Sequence, residues 1–135
     1  MIFIDSNVLI DIIDADTAWS EWSSRALMLR GGPLAINHVV LAEIAPRFES
    51  AALARVFIDR AEIALVNLSE DAAHRAGKAH AAYRAAGGPR DAVLADFLIG
   101  GHAATLEATL VTRDRQRFAT YFPELRLITP ESDND

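Results

Sequence analysis

The chain contains no cysteine. This absence excludes disulfide bonds, thiolate zinc sites and cysteine nucleophiles. No uninterrupted apolar run reaches the roughly 18 residues of a membrane-spanning helix, and the chain does not open with the basic and apolar segments of a secretory signal. We therefore expect a cytoplasmic protein that has no membrane partner.

Basic residues are also scarce. The 13 lysines and arginines face 19 aspartates and glutamates, which gives a net charge of −6, and Lys78 is the only lysine. This balance argues against a protein that binds nucleic acid by electrostatic attraction alone. It is compatible with an enzyme that holds cations in an acidic pocket and contacts phosphates through a local rim of arginines, whose planar fork suits phosphate.

Short apolar segments alternate with helical segments along the 135 residues. The pattern predicts strands at 1–5, 34–36, 63–66, 109–111 and 125–128, and helices at 8–13, 17–30, 38–45, 50–60, 70–86, 91–106 and 115–121. The strands lack polar alternation, as expected when helices cover both faces of a sheet. We predict one α/β domain over residues 1–129, with a mainly parallel five-stranded sheet, and a polar tail over 130–135.

Helix caps follow from polar residues that precede the helical segments. Ser6 or Asn7 is the expected cap of the first helix, Asn37 of the third and Ser69 of the fifth. The Gly87-Gly88-Pro89 segment is expected to be a loop within the domain, because neither flank is long enough to fold alone.

Four carboxylates stand in apolar surroundings, namely Asp5, Glu43, Asp96 and Asp114. Such groups are rarely buried unless they are paired or bind a metal. Asp5 ends the first predicted strand and Asp114 follows the fourth, and ligands of open parallel sheets bind outside the carboxyl ends of the strands. All four acids are therefore expected to converge on one pocket if the first and fourth strands are neighbours.

Clustered carboxylates repel one another unless they are protonated or neutralised by a cation. Oxygen ligands without cysteine favour Mg²⁺ or Mn²⁺ over zinc. Each acid also has a structural alternative. Asp5 and Asp114 are suited to cap helices, Glu43 to lie on an exposed face, and Asp96 to pair with Arg90 or Arg113.

The motifs that contain these acids resemble those of the PIN-domain family, and within it the VapC-type toxins. The matching segments are residues 2–9 (IFIDSNVL), 40–44 (VLAEI), 95–103 (ADFLIGGHA) and 110–114 (LVTRD). The resemblance implies an α/β/α sandwich and an endoribonuclease that depends on Mg²⁺ or Mn²⁺. It maps the catalytic and metal-binding positions onto Asp5, Glu43, Asp96 and Asp114.

The resemblance also implies hydrogen-bonding support from Ser6, Asn7 and Thr112, an antitoxin partner and a homodimer. Gly100 and Gly101 stand where such toxins usually have two alanines. Separately, three arginines beside Asp114 suggest contacts to RNA phosphates, although a solvated charged turn is an equally good interpretation. They are Arg113, Arg115 and Arg117.

Three other functions remain to be weighed. A catalytically idle PIN-like domain would use the same fold for binding or as a scaffold. A phosphatase of the haloacid-dehalogenase type needs a second Asp two residues after the first, where this chain has Asn7. A response-regulator receiver domain needs a lysine at the end of the fifth strand, and residues 125–129 contain none.

Overall fold

The computed structural model describes residues 1–29, 31–89 and 94–131. The strands are β1 (Ile2–Ile4), β2 (Leu34–Ile36), β3 (Ile63–Leu65), β4 (Thr109–Val111) and β5 (Arg126–Ile128). The helices are α1 (Ser6–Ile13), α2 (Ser20–Met28), α3 (His38–Ile44), α4 (Ala51–Arg60), α5 (Glu70–Ala85), α6 (Leu94–Thr105) and α7 (Arg115–Tyr121), and a 3₁₀ turn at Ala45–Arg47 follows α3.

The strands form one five-stranded sheet in the order β3-β2-β1-β4-β5, and every neighbouring pair is parallel. This confirms the predicted sheet, and it makes the first and fourth strands neighbours, the condition on which the expected convergence of the four acids depends. The strand order reverses direction at β1, where Phe3 pairs with Ala35 on one side and Leu110 on the other. Such a reversal opens a crevice at the carboxyl ends of the strands.

The helices pack in two groups. Helix α1 contacts α2 and α3, whereas α5 contacts α6 and α7, and the two groups meet where α3 contacts α6. Crossovers between parallel strands are right-handed, so chain segments that lead from β1 to β3 and those that return through β4 to β5 lie on opposite faces of the sheet. The fold is thus a three-layer α/β/α sandwich. Fully buried Phe3, Ile36 and Leu110 from the central strands form the middle of its core.

The two glycines of α6 allow neighbouring helices to approach closely. A Cβ atom at Gly100 would lie 2.6 Å from the Phe122 ring, and one at Gly101 would lie 2.9 Å from the Cβ of Ala76. Both distances are shorter than real Cβ contacts. The glycines therefore serve packing under the crevice, where α6 also carries Asp96.

Three helix starts differ from the prediction, and that of α4 differs by one residue because Ser50 is its cap. Helix α1 begins at Ser6, and its cap is Asp5, whose side chain accepts from the Ser6 backbone N–H. Helix α2 begins at Ser20 rather than at residue 17, because the Asp16 carboxylate accepts from the N–H groups of Ala18 and Trp19 and closes a turn there. The caps predicted at Asn37 and Ser69 are confirmed.

Parts of the prediction lie outside the described residues. They include Arg90, the first residues of the helix predicted at 91–106, and the end of the tail at 132–135. Among the residues that are described, no helix is both long and apolar enough to cross a membrane.

Candidate active site

Asp5 lies at the carboxyl end of β1 and is almost fully buried, with 4% of its surface exposed. Its backbone N–H continues the sheet by donating to Val111 O at 3.0 Å. One carboxylate oxygen, Oδ1, accepts from the Ser6 N–H at 2.8 Å, and Oδ2 accepts from the Thr112 hydroxyl at 2.7 Å. The sheet and two neutral donors thus fix this carboxylate in the crevice between β1 and β4.

Glu43 reaches the same crevice from α3, which leaves the carboxyl end of β2. The Ser6 hydroxyl donates to Glu43 Oε1 at 3.0 Å, so Ser6 contacts Asp5 through its backbone and Glu43 through its side chain. Asn37, the first residue after β2, caps α3 by accepting from the Val40 N–H at 3.0 Å. Glu43 is therefore held by the helix that this cap starts.

Asp96 and Asp114 approach from the other side of the crevice. Asp96 lies in the first turn of α6, and its Oδ2 accepts from Arg117 Nη1 at 3.0 Å. Asp114 caps α7, where its Oδ1 accepts from the Arg117 N–H at 3.2 Å, and its own N–H donates to Thr112 Oγ1 at 3.0 Å. Thr112 thereby links the loop that carries Asp114 to Asp5.

The acids influence one another electrostatically. Burial raises the pKa of Asp5 to about 6, against the hydrogen bond from Thr112, and repulsion from Asp96 and Glu43 adds to the rise. Burial likewise raises the pKa of Glu43, and Asp96 contributes here too. Three acids that are far apart in sequence therefore share one region of negative potential, whose stabilisation calls for a cation.

A divalent ion suits this site by the chemistry of its donors, which are carboxylate oxygens from several neighbouring acids. Hard oxygen ligands of this kind are those that Mg²⁺ and Mn²⁺ prefer. As the side chains stand, however, no three His, Asp or Glu residues of the described chain are arranged to hold a metal ion. Arg117 is a cation that already contacts the Asp96 and Asp114 side of the site.

The three arginines near Asp114 differ in their contacts. Arg113 donates to Asp11 through Nε at 2.8 Å and Nη2 at 3.0 Å, and its guanidinium lies 5.0 Å from the Trp19 ring centre. Arg117 pairs with Asp96 at 3.0 Å. Arg115 is exposed. Arg117 is thus a partner of Asp96, whereas Arg113, one of the two partners expected from the sequence, pairs with Asp11.

Sequence reasoning missed two buried polar contacts beside the site. Asp11, one helical turn or more beyond Asp5, is 2% exposed and pairs with Arg113. His102 is buried on α6, its Nδ1 lies 3.1 Å from Asn37 Nδ2, and burial lowers its pKa. The spacing from Asp5 to Asp11 on a mostly apolar helix was the available signal. A neutral, buried His102 fits packing rather than proton transfer.

The predicted supporting residues have different surroundings. Ser6 and Thr112 donate to Glu43 and Asp5, as described above. Asn7 instead leaves its Oδ1 atom buried, and no hydrogen-bond partner for that atom lies within the described part of the chain. Its role stays a prediction.

The sequence model of the PIN domain family matches residues 2–122 of this chain, which include all four acids and both helix groups. The chain belongs to the PIN-domain family. No curated protein sequence matches it. Membership of the PIN-domain family accounts for the strand order and for the crevice at the carboxyl ends of the strands, and it leaves the phosphatase and receiver-domain alternatives without support.

Solved structures share this fold at low sequence identity. A toxin–antitoxin complex from Klebsiella pneumoniae superposes with a TM-score of 0.72 at 22% identity, over 96% of this chain and 98% of that one. VapBC2 from Rickettsia felis, bound to a DNA fragment of its promoter, gives a TM-score of 0.70 at 22% identity and the same coverage. VapC20 from Mycobacterium tuberculosis, a toxin that cleaves the sarcin-ricin loop, gives 0.68 at 16% identity, over 93% and 99%.

Proposed function

We propose that this PIN-domain protein is an endoribonuclease that requires Mg²⁺ or Mn²⁺ and acts in the cytoplasm as the toxin of a toxin–antitoxin pair. The observation that carries the proposal is the convergence of Asp5, Glu43 and Asp96 in one crevice, where burial and then repulsion between the acids raise the pKa of both Asp5 and Glu43. The folds shared with toxin–antitoxin structures support the biological role.

Asp5, Glu43, Asp96 and Asp114 would hold the ion, and the ion would supply a water of lowered pKa and a positive charge beside the scissile phosphate. Ser6 and Thr112 orient the carboxylates through the hydrogen bonds that they donate. A carboxylate of the site is the proposed acceptor of the proton that this water releases. No histidine is required.

RNA contacts are assigned to the arginines beside Asp114. Exposed Arg115 is the first candidate for a phosphate contact, because Arg113 and Arg117 pair with carboxylates of the protein in this structure. Phosphate contacts make nucleic-acid binding weaken as salt rises. Cleavage is therefore expected to slow with increasing ionic strength.

The antitoxin is proposed to cover an apolar groove between α3, α4 and β3. Its volume is about 750 Å³, and its walls include Leu41, Phe48, Ile58 and several alanines. A groove of this kind accepts the apolar face of a partner helix. Leu41 of the groove and Glu43 of the candidate active site both lie on α3, so the two surfaces share one helix.

A homodimer stays a prediction. Met28 and Leu29 at the end of α2 are each 77% exposed, and they offer an apolar contact for a second copy or for another partner. Light scattering of the wild type and of Met28→Glu distinguishes a dimer that uses this contact from a monomer.

The test is cleavage of total cellular RNA by purified protein that is free of antitoxin. We expect cutting with added Mg²⁺ or Mn²⁺, none with EDTA and none with Asp96→Asn. Asp71→Asn is the matched control, since Asp71 is an exposed acid on α5. Calorimetry with Mn²⁺ runs in parallel, and ion binding without cleavage of any RNA would favour the idle binding domain instead.

A further inference from the structure

Arg117 contacts both acids on one side of the candidate active site. Its Nη1 lies 3.0 Å from Asp96 Oδ2, and its Nε lies 3.2 Å from Asp114 Oδ2. Its charge also attracts the Glu43 carboxylate, which partly offsets the rise of that pKa. One side chain on α7 thus acts on three of the four acids that the sequence assigns to the metal.

These contacts use the lone pairs that a metal ion needs. A guanidinium and a divalent cation bind the same carboxylate oxygens. An oxygen atom that accepts from the guanidinium is therefore less available as a ligand of the ion. As the side chains stand, no three acids of the described residues are arranged to hold an ion, and Arg117 is a cation that contacts two of the four. The Arg117 side chain is 33% exposed, so it can turn towards solvent without disturbing the buried core.

We infer that Arg117 is a built-in competitor of the divalent ion. It holds Asp96 and Asp114 in the metal-free protein and leaves them when the ion binds. This inference rests on the proposed function, because it requires the four acids to be the metal site. Its consequence is that loading the ion frees an arginine fork at the edge of the site, where it can contact an RNA phosphate.

The first experiment measures Mn²⁺ affinity by calorimetry for the wild type, Arg117→Gln and Arg115→Gln. Loss of the competitor should tighten Mn²⁺ binding roughly tenfold, which corresponds to the removal of two partly exposed ion pairs. Arg115→Gln removes the same formal charge from the same helix, so it controls for the long-range effect of charge. It should change the affinity by less than about twofold.

The second experiment follows the arginine Nε–H resonances during a titration with Mg²⁺, which is diamagnetic. The signal of Arg117 should shift as the ion binds, because the ion pair between its Nε and Asp114 breaks. The signal of Arg113 should stay in place and serves as an internal reference, because its Nε donates to Asp11. If Arg117→Gln fails to fold, Arg117→Lys keeps the charge without the fork and should bind Mn²⁺ with intermediate affinity.

The outcomes separate this inference from the proposed function. Tighter binding by Arg117→Gln than by Arg115→Gln supports the inference. Equal or weaker binding, with the wild type still binding Mn²⁺, overturns the inference and leaves the proposed function intact. If no variant binds Mn²⁺, both are wrong. An unmoved Arg117 signal at saturating Mg²⁺ also overturns the inference.

Discussion

Two buried aspartates on and next to α1 differ in the charge of their partners. Asp5 is 4% exposed and Asp11 is 2% exposed. Asp11 accepts two hydrogen bonds from the Arg113 guanidinium, at 2.8 and 3.0 Å, and a third from the Ser23 hydroxyl at 3.0 Å. The hydrogen bonds that Asp5 accepts come from the Ser6 N–H and the Thr112 hydroxyl, both of which are neutral.

The comparison teaches that burial alone does not identify a functional carboxylate. The negative charge of Asp11 is matched by a positive partner, and this pair ties α1 to the loop between β4 and α7. Asp5 instead faces Glu43 and Asp96, so its charge adds to theirs. An unmatched buried charge is the one that attracts a cation.

The largest expected effect is on activity. Asp5→Asn should reduce metal-dependent RNA cleavage by roughly 100-fold or more, because it removes a charge from the proposed metal site while an amide oxygen keeps a hydrogen bond to Ser6. Cleavage rates at saturating Mg²⁺ measure this. Asp59→Asn, on the exposed face of α4, serves as the control, and near wild-type cleavage by Asp5→Asn would remove Asp5 from the active site.

The second effect is on stability, and it should appear at Asp11. Asp11→Asn leaves Arg113 without its negative partner, and breaking a buried ion pair is strongly destabilising. Because Arg113 is 30% exposed and can regain water, we expect a loss of about 2–3 kcal/mol in the free energy of unfolding. Urea denaturation of the metal-free protein measures the loss. In the same assay Asp5→Asn should lose little or gain stability, and equal losses for both variants would contradict the comparison.

The third effect is on the pH dependence of stability. Because the pKa of Asp5 is higher in the folded protein, at about 6, than the ordinary value of 3.8, protonation favours the folded state. The resulting stabilisation is complete below the unfolded pKa and is lost as pH rises through the folded pKa. Between pH 8 and pH 5 the metal-free protein should gain roughly 1 kcal/mol from this group.

Denaturation curves at both pH values test this gain, with Asp5→Asn as the variant that should lack it. Protons and metal ions compete for Asp5, so Mn²⁺ affinity should fall below pH 6 in the wild type. A wild type that is more stable at pH 8 by the same margin would show that another group dominates.

The smallest expected effects come from the neutral donors. Ser23→Ala removes one of three hydrogen bonds to Asp11 and should cost about 1 kcal/mol in the free energy of unfolding.

Thr112→Val removes a hydrogen bond to the charged form of Asp5 and should raise the pKa of Asp5 further. NMR titration of the Asp5 carboxyl carbon measures the pKa, and an unchanged value in Thr112→Val would contradict the assigned contact.

Local patterns in the sequence predicted much of the fold. The five strands, their parallel pairing and the caps at Asn37 and Ser69 follow from apolar runs and polar cap residues, which act over a few neighbours. The start of α2 was misplaced, because Asp16 closes a turn that competes with the helix. The cap of α1 was predicted one or two residues too late, because Asp5 both follows the strand β1 and caps the helix that begins at Ser6.

The sequence by itself determined which acids stand at the carboxyl ends of β1 and β4, because the position of each strand along the chain follows from the apolar segments. Only the tertiary structure decided which charges meet. Arg113 and Arg117 are four residues apart and look alike in the sequence, yet one pairs with Asp11 and the other with Asp96, at separations of 102 and 21 residues. Ion pairs depend on distances across the folded molecule, and these distances are set by helix packing rather than by neighbours in the chain.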